Sequence, residues 1–176
     1  MATQQAEEKA GSRDPATHQV LTFELGSETY GVDILRVREI RGWSTVTKIP
    51  HAPAHVLGVL NLRGSIVPVV DLRMRFALER AEYTKVTVII VLSIHSSPGR
   101  HREVGVVVDG VSDVMDFNNT DVKVTPELGP GCATDHIRGL VPAGERMVVL
   151  LDIDKLIGIQ LSGMSVEQAA PAFEAA

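Results

Sequence analysis

The sequence predicts a mostly β protein: two small five-stranded β-barrels packed against one another, with short helices. Three observations carry that reading. Hydrophobic residues fill 44% of the 176 positions but aromatics only 4%, so the interior is made of Val, Ile and Leu, and the β-branched pair favours a pleated surface. Short apolar runs alternate with clusters of Gly, Pro, Ser and Asn that read as turns. The chain also matches itself. Gly58 to Asp71 spans thirteen steps, and so does Gly139 to Asp152, with Val59, Leu60, Ile66, Val67, Val69, Val70 and Leu72 answered by Leu140, Val141, Met147, Val148, Leu150, Leu151 and Ile153. Such self-similarity is how a duplication shows itself.

Each element follows from local pattern. Val20 to Leu25 alternates apolar and polar residues, as a half-buried strand does, and Gly26-Ser27 turns it into Tyr30-Gly-Val-Asp33. Upstream of the long match, Gly31, Val37, Glu39 and Ile40 correspond to Gly105, Val111, Asp113 and Val114. The unit therefore has five strands, at 18–25, 28–33, 36–43, 56–62 and 65–71, repeated at 85–94, 103–109, 111–116, 136–142 and 145–151. Five short antiparallel strands tend to close into a barrel, which removes exposed edges. A barrel this small has a marginal core of its own, so the two should pack together and leave a groove where they meet. Asp71 and Asp152 are placed to cap helical turns at 71–76 and 152–157, the second stopped by Gly158. Residues 1–17 and 159–176 read as flexible tails around a body at 18–158, with subdomains at about 18–80 and 81–158.

Composition excludes several functions. A single cysteine, Cys132, rules out an intrachain disulfide framework and fits a reducing, cytoplasmic setting. The start lacks the apolar core of a secretory signal, and the longest apolar run, Val88 to Leu92, is far too short to cross a bilayer. A net charge of −5 gives no footprint for nucleic acid. His51 and His55 flank Pro53 in a loop without the glutamate of a metalloprotease helix. Cys132 has no histidine at a recognisable spacing, and no glycine-rich phosphate loop is present. The chain thus reads as a non-enzyme without metal or cofactor. The alternative on the residues alone is a small hydrolase using Asp109 and Asp113, although a strand turning at Asp-Gly also explains that pair.

One arginine stands out. In Gly58-Val-Leu-Asn-Leu-Arg-Gly-Ser-Ile-Val-Pro-Val-Val-Asp-Leu72 the only cation is Arg63, beside Gly64 at the tip of a hairpin. It reads either as a solvated charge on a tight turn or as a pre-organised contact for a partner's carboxylate or carbonyls. Glu39, in Arg36-Val-Arg-Glu-Ile-Arg41, is a second charge set among apolar neighbours.

Three segments, Tyr30 to Gly42, Gly58 to Arg73 and Val106 to Val114, together resemble the CheW family of bacterial chemotaxis coupling proteins. The resemblance spans about 18–158. It implies two SH3-like barrels and a non-catalytic adaptor joining the regulatory domain of the histidine kinase CheA to the cytoplasmic tip of methyl-accepting chemoreceptors. Such an adaptor is cytoplasmic and recruited to membrane-associated receptor arrays. The resemblance further implies that Val37, Glu39, Gly58, Arg63 and Gly64 lie at or near the receptor groove. Gly42 and Val46 would face one kinase contact, and Lys123, Glu127 and Leu128 a second, array-forming one. A CheW-like scaffold module of a related signalling system is the nearest rival reading. The segment Ser93 to Glu103 departs from the family in being longer and more basic than a short turn.

Overall fold

The computed structural model describes residues 17–79, 82–127, 129–130 and 134–161, with side chains described as far as Ile157. The elements are β1 (Thr17–Leu25), β2 (Glu28–Asp33), β3 (Val37–Gly42), β4 (Val56–Leu62), β5 (Ser65–Asp71), α1 (Leu72–Arg75), β6 (Val88–Ser97), β7 (Arg100–Val108), β8 (Gly110–Asn118), β9 (Ile137–Ala143), β10 (Arg146–Leu151) and α2 (Ile153–Leu161), with 3-10 turns at Ile34–Arg36 and Asn119–Asp121. All ten predicted strands are present, and both aspartates cap as expected: Arg73 N–H donates to Asp71 Oδ1 (2.9 Å) and Lys155 N–H to Asp152 Oδ1 (3.1 Å).

Three boundaries differ. Thr17, assigned to the tail, already pairs with Asn118. The segment 93–103 is a continuation of the β6–β7 ladder, paired through His95–His101 to Ser97–Arg100. Helix α2 runs past Gly158 to Leu161, because one glycine costs a helix only about 1 kcal/mol relative to alanine. The rest of both tails, Cys132 and Leu128 lie outside the described residues.

The strands form two five-stranded sheets, ordered β8-β1-β2-β10-β9 and β3-β6-β7-β5-β4. Replacing every strand by its counterpart in the other copy converts one order into the other, so the duplication extends to topology. The copies exchange strands, however, and this corrects the expected subdomains. Each sheet takes the first two strands of one copy and the last three of the other, joined by parallel pairings β2–β10 and β5–β7. The expected boundary near residue 80 falls inside the second sheet, which is the continuous segment 37–108; the first sheet is assembled from the chain on either side. Connection length explains the exchange. A single residue, Asp109, separates β7 from β8, too little for the two-residue loop that a hairpin needs, so the chain runs on into the other sheet.

Each sheet is closed by one bridge. Beyond β3, Thr47 pairs with Val59 of β4; beyond β8, Lys123 pairs with Leu140 of β9. The paired backbone bonds are 2.8 and 3.0 Å at the first and 2.7 and 2.9 Å at the second. Gly58 and Gly139 stand beside these bridges, where a Cβ would lie 2.1 Å from the Thr47 carbonyl oxygen and 2.8 Å from that of Lys123. Only glycine allows the rings to close.

Val67, Val69, Ile89, Val91 and Val107 fill one barrel; Val20, Phe117, Val141, Val148 and Leu150 fill the other. The largest cluster lies between them, built from alternate residues such as Leu21, Phe23, Val70, Ile90, Leu92, Val104 and Val106, with Leu72, Leu156 and Ile157 from the helices. Most of the core is therefore shared, as the small barrel interiors demand.

The chain crosses between barrels twice, and an ion pair holds each crossing. At 33–37, Arg36 Nη2 reaches Asp154 Oδ2 on α2 (2.6 Å), and Arg36 Nη1 donates to the Ser93 carbonyl (3.2 Å). At 108–110, Asp109 Oδ1 accepts from Arg73 Nη1 on α1 (3.1 Å), while Asp109 Oδ2 accepts from the Gly26 N–H (2.7 Å). Arg73 and Asp154 hold equivalent positions, two residues after Asp71 and Asp152, so the two clamps are the same device with its charges inverted. Arg73 is fully buried. Its Nε and Nη2 bond Asp71 at 3.1 and 2.9 Å, Tyr83 Oη donates to Asp71 (3.1 Å), and the Tyr83 ring covers the guanidinium. The Asp71 hydrogen bond raises the arginine's pKa against the opposing effect of burial.

The repeat also relates His55 to His136. Their carbonyls accept from Asp71 N–H (2.8 Å) and Asp152 N–H (2.7 Å), respectively. Burial, and then the charge of Arg75, lower both imidazole pKa values. A histidine held neutral in the fold binds fewer protons than it does unfolded, so its contribution is complete above the ordinary value near 6.5 and is lost as pH falls through the folded value. Urea midpoints measured from pH 7.5 to 5 should therefore decline, and His136→Gln should flatten the decline. An unchanged slope in the variant would remove His136 from the account.

Candidate functional site

The β4–β5 hairpin places Arg63 and Gly64 as a two-residue loop between the paired Leu62 and Ser65. Both have positive φ, +51° and +86°, as a type I′ turn requires. Gly64 takes this conformation freely, and its N–H is fixed by Asn61 Oδ1 (2.9 Å). Arg63 does not: a left-handed residue with a Cβ costs about 1 kcal/mol or more. Strain at an exposed position that Asn or Gly would relieve argues for use of the side chain. The guanidinium is 86% exposed and meets Glu39 Oε2 at 3.0 Å. A surface pair of this kind adds little stability; its effect is to hold Arg63 in one direction.

Ring closure is what brings Glu39 there, since β3 and β4 are the two ends of their sheet. A bulge between Val37 and Glu39 then turns the two residues to opposite faces. Val37 lies opposite Leu92 and Glu39 opposite Val91; Val37 packs on the inter-barrel core, and Glu39 is left at the barrel's end. Of the five residues assigned to the receptor groove, the structure thus gathers Glu39, Arg63 and Gly64. Val37 is half-buried on the other face, and Gly58 is buried at the closing bridge. Beside the turn opens a cleft of about 470 Å³ lined by Arg38, Ser65, Ile66, Val67, Ser93, His101, Arg102 and Glu103. Ile66 is 64% exposed there.

The residues assigned to the two kinase contacts lie on either side of the closing bridges, Gly42 and Val46 before Thr47, and Lys123 and Glu127 from the counterpart of Thr47 onward. Gly42 ends β3, where a Cβ would meet nothing within 4 Å, and Val46 is half-buried against the core of that barrel. Lys123 forms the bridge that closes the other barrel, and Glu127 is exposed four residues on. Gly42 closes the third strand of the first copy, and Val46, Lys123 and Glu127 lie on the segments that follow the third strands. Exposed apolar side chains accompany each, Ile49 on one and Val124 on the other.

The carboxylates of the hydrolase alternative are not brought together. Asp109 is bound on both oxygens in its crossing, and Asp113 Oδ1 accepts from the Val114 N–H (2.7 Å). Sequence reading missed both crossing clamps, because their partners lie far apart in the chain. It also missed the His55–His136 correspondence, which was legible in the same repeat.

A family model described as the CheW-like domain matches residues 19–160. The chain is 47% identical over 139 residues to the chemotaxis protein CheW of Klebsiella aerogenes, covering 79% of this chain and 81% of that protein. It is 39% identical over 138 residues to the chemotaxis protein CheW of Rhizobium meliloti, covering 78% and 86%. The scaffolding protein TtCheW from Thermoanaerobacter tengcongensis has the same fold, with a TM-score of 0.73 at 28% identity over 84% of this chain and 92% of its own. With the duplicated five-strand unit, the exchanged sheets and the Arg63 turn all in place over the matched span, the chain belongs to the CheW-like family.

Proposed function

We propose that the protein is a non-catalytic chemotaxis adaptor that couples the regulatory domain of the histidine kinase CheA to the cytoplasmic tip of chemoreceptors and helps tie both into arrays. The observation that carries this reading is Arg63, held on a strained turn by Glu39 and almost wholly exposed. Receptor tips are helical hairpins, so recognition follows the helix-in-groove mode, with apolar anchors supplying affinity and the guanidinium fixing register. The kinase reads two segments, Gly42–Val46 on one barrel and Lys123–Glu127 on the other, continued by Leu128. Two surfaces on one body let a single adaptor join two neighbours. Each contact is small, and the array gains its strength from multivalency. The adaptor works in the cytoplasm; among the described residues no helix is long and apolar enough to cross a membrane.

Arg63→Ala should weaken binding of a receptor-tip fragment by about 1 to 3 kcal/mol, the range for an interface arginine or charge-assisted bond. Stability should change by no more than about 0.5 kcal/mol, and affinity for the kinase regulatory domain should be spared. Calorimetric titration against each partner, with thermal unfolding as control, tests all three. Equal loss of both affinities would make the turn structural and remove the basis of the reading.

A further inference from the structure

We propose that His95 and His101 form a two-imidazole site for a divalent transition-metal ion on the extended β6–β7 hairpin. The two residues lie directly opposite one another in the antiparallel ladder, so their side chains leave the same face. Their ring centroids are 4.6 Å apart with the planes tilted by 53°. The rings are tilted and not stacked in parallel, and both side chains are exposed.

The distance is of the size that a shared ion requires. A metal–nitrogen bond of about 2.1 Å plus about 1.1 Å from nitrogen to ring centre puts each centroid about 3.2 Å from the ion. Two imidazoles at 90° then have centroids about 4.5 Å apart, and two at the tetrahedral angle about 5.2 Å. The observed separation lies in the range that a shared ion requires, and imidazole ligands suit Ni²⁺, Cu²⁺ and Zn²⁺.

One ligand is already oriented. His95 Nδ1 lies 3.1 Å from Asp154 Oδ2, and the His95 backbone N–H donates to Asp154 Oδ1 (2.8 Å). A carboxylate at Nδ1 fixes the proton there and leaves the Nε2 lone pair for a metal, the usual carboxylate–histidine–metal arrangement. Asp154 is itself anchored by Arg36 (2.6 Å), so this support does not depend on the hairpin. No group of three His, Cys, Asp or Glu side chains among the described residues is arranged to hold a metal, so water completes the shell and the site is open. Binding would staple the outer part of the hairpin and tie it, through Asp154, to α2 and the Arg36 crossing.

The test is calorimetric titration of the untagged full-length chain with Ni²⁺, chosen because it does not oxidise the free thiol of Cys132. One site is expected. His95→Ala or His101→Ala should each lower the affinity at least about tenfold, and Asp154→Asn by roughly 10- to 100-fold. The double variant His51→Ala/His55→Ala, in the other histidine-bearing loop, should bind as the parent does. Absence of binding by the parent, or binding that survives His101→Ala in a protein with an unchanged circular dichroism spectrum, overturns the proposal.

Discussion

Arg73→Met should lower the unfolding free energy by about 3 to 5 kcal/mol, measured by urea denaturation at pH 7. The loss does not come from the arginine's own contacts alone. Asp71 is as buried as Arg73, with side chains 1% and 2% exposed, and removing the cation leaves a carboxylate in the interior without its counter-charge. Tyr83 Oη and the Arg73 backbone N–H remain as donors, but they supply no charge. The crossing at Asp109 is released at the same time. Arg73→Lys should recover little, because an ammonium cannot reproduce the fork that spans Asp71 and Asp109. The double variant Arg73→Met/Asp71→Asn should recover much of the loss, since an unpaired charge is no longer buried. A loss below about 1 kcal/mol in Arg73→Met would mean that water reaches Asp71 and that the network does not support the crossing.

The second large effect belongs to the closing bridges. In Gly58→Ala the new methyl would stand 2.1 Å from the Thr47 carbonyl oxygen and 2.7 Å from its carbon. Backbone, and not a flexible side chain, must then move. With φ at +149° the substitution adds conformational strain to the overlap, and together these should cost roughly 3 kcal/mol or more. Gly139→Ala should behave similarly, with overlap against Val122 Cγ1 at 2.5 Å and Lys123 O at 2.8 Å. Gly42→Ala, where a Cβ meets nothing within 4 Å, is the control and should stay within about 0.5 kcal/mol. The comparison matters for function, because Gly58 was assigned to the receptor groove. If Gly58→Ala loses receptor and kinase binding together with its fold, this glycine serves the ring. Selective loss of receptor binding in a fully stable variant would restore it as a contact.

The strands were legible because alternation and turn residues are local properties, and the repeat doubled every signal. Which strands share a sheet was not. Period-two alternation says that Val106 and Val107 face opposite sides, but it is silent on which neighbour pairs with them. The only clue to the exchange was the brevity of Val108-Asp109-Gly110. At the site, Arg63 and Gly64 could be placed on a tip from sequence, whereas the approach of Glu39 depends on ring closure by Thr47, a single bridge with no periodic signature. Val37 and Glu39 looked like residues of one face until the bulge between them turned one away. The ladder through His95 and His101 was missed because Ser-Ser-Pro-Gly reads as loop, although only Pro98 and Gly99 are needed for the turn.

The crossings at 33–37 and 108–110 have a consequence for synthesis. As the nascent chain leaves the ribosome, β3 to β7 are all available once residue 108 has emerged, and the middle barrel can assemble while the outer one is still two strands waiting for partners. Until β8 to β10 arrive, the side chains of Ile90, Leu92, Val104 and Val106 that later meet the other barrel face solvent, beside an unpaired β1–β2 hairpin. Half-built proteins of this kind are the ones that aggregate or engage chaperones. Arrival of residues 110–151 therefore does more than extend the chain: it covers a surface that residues 17–108 cannot hide.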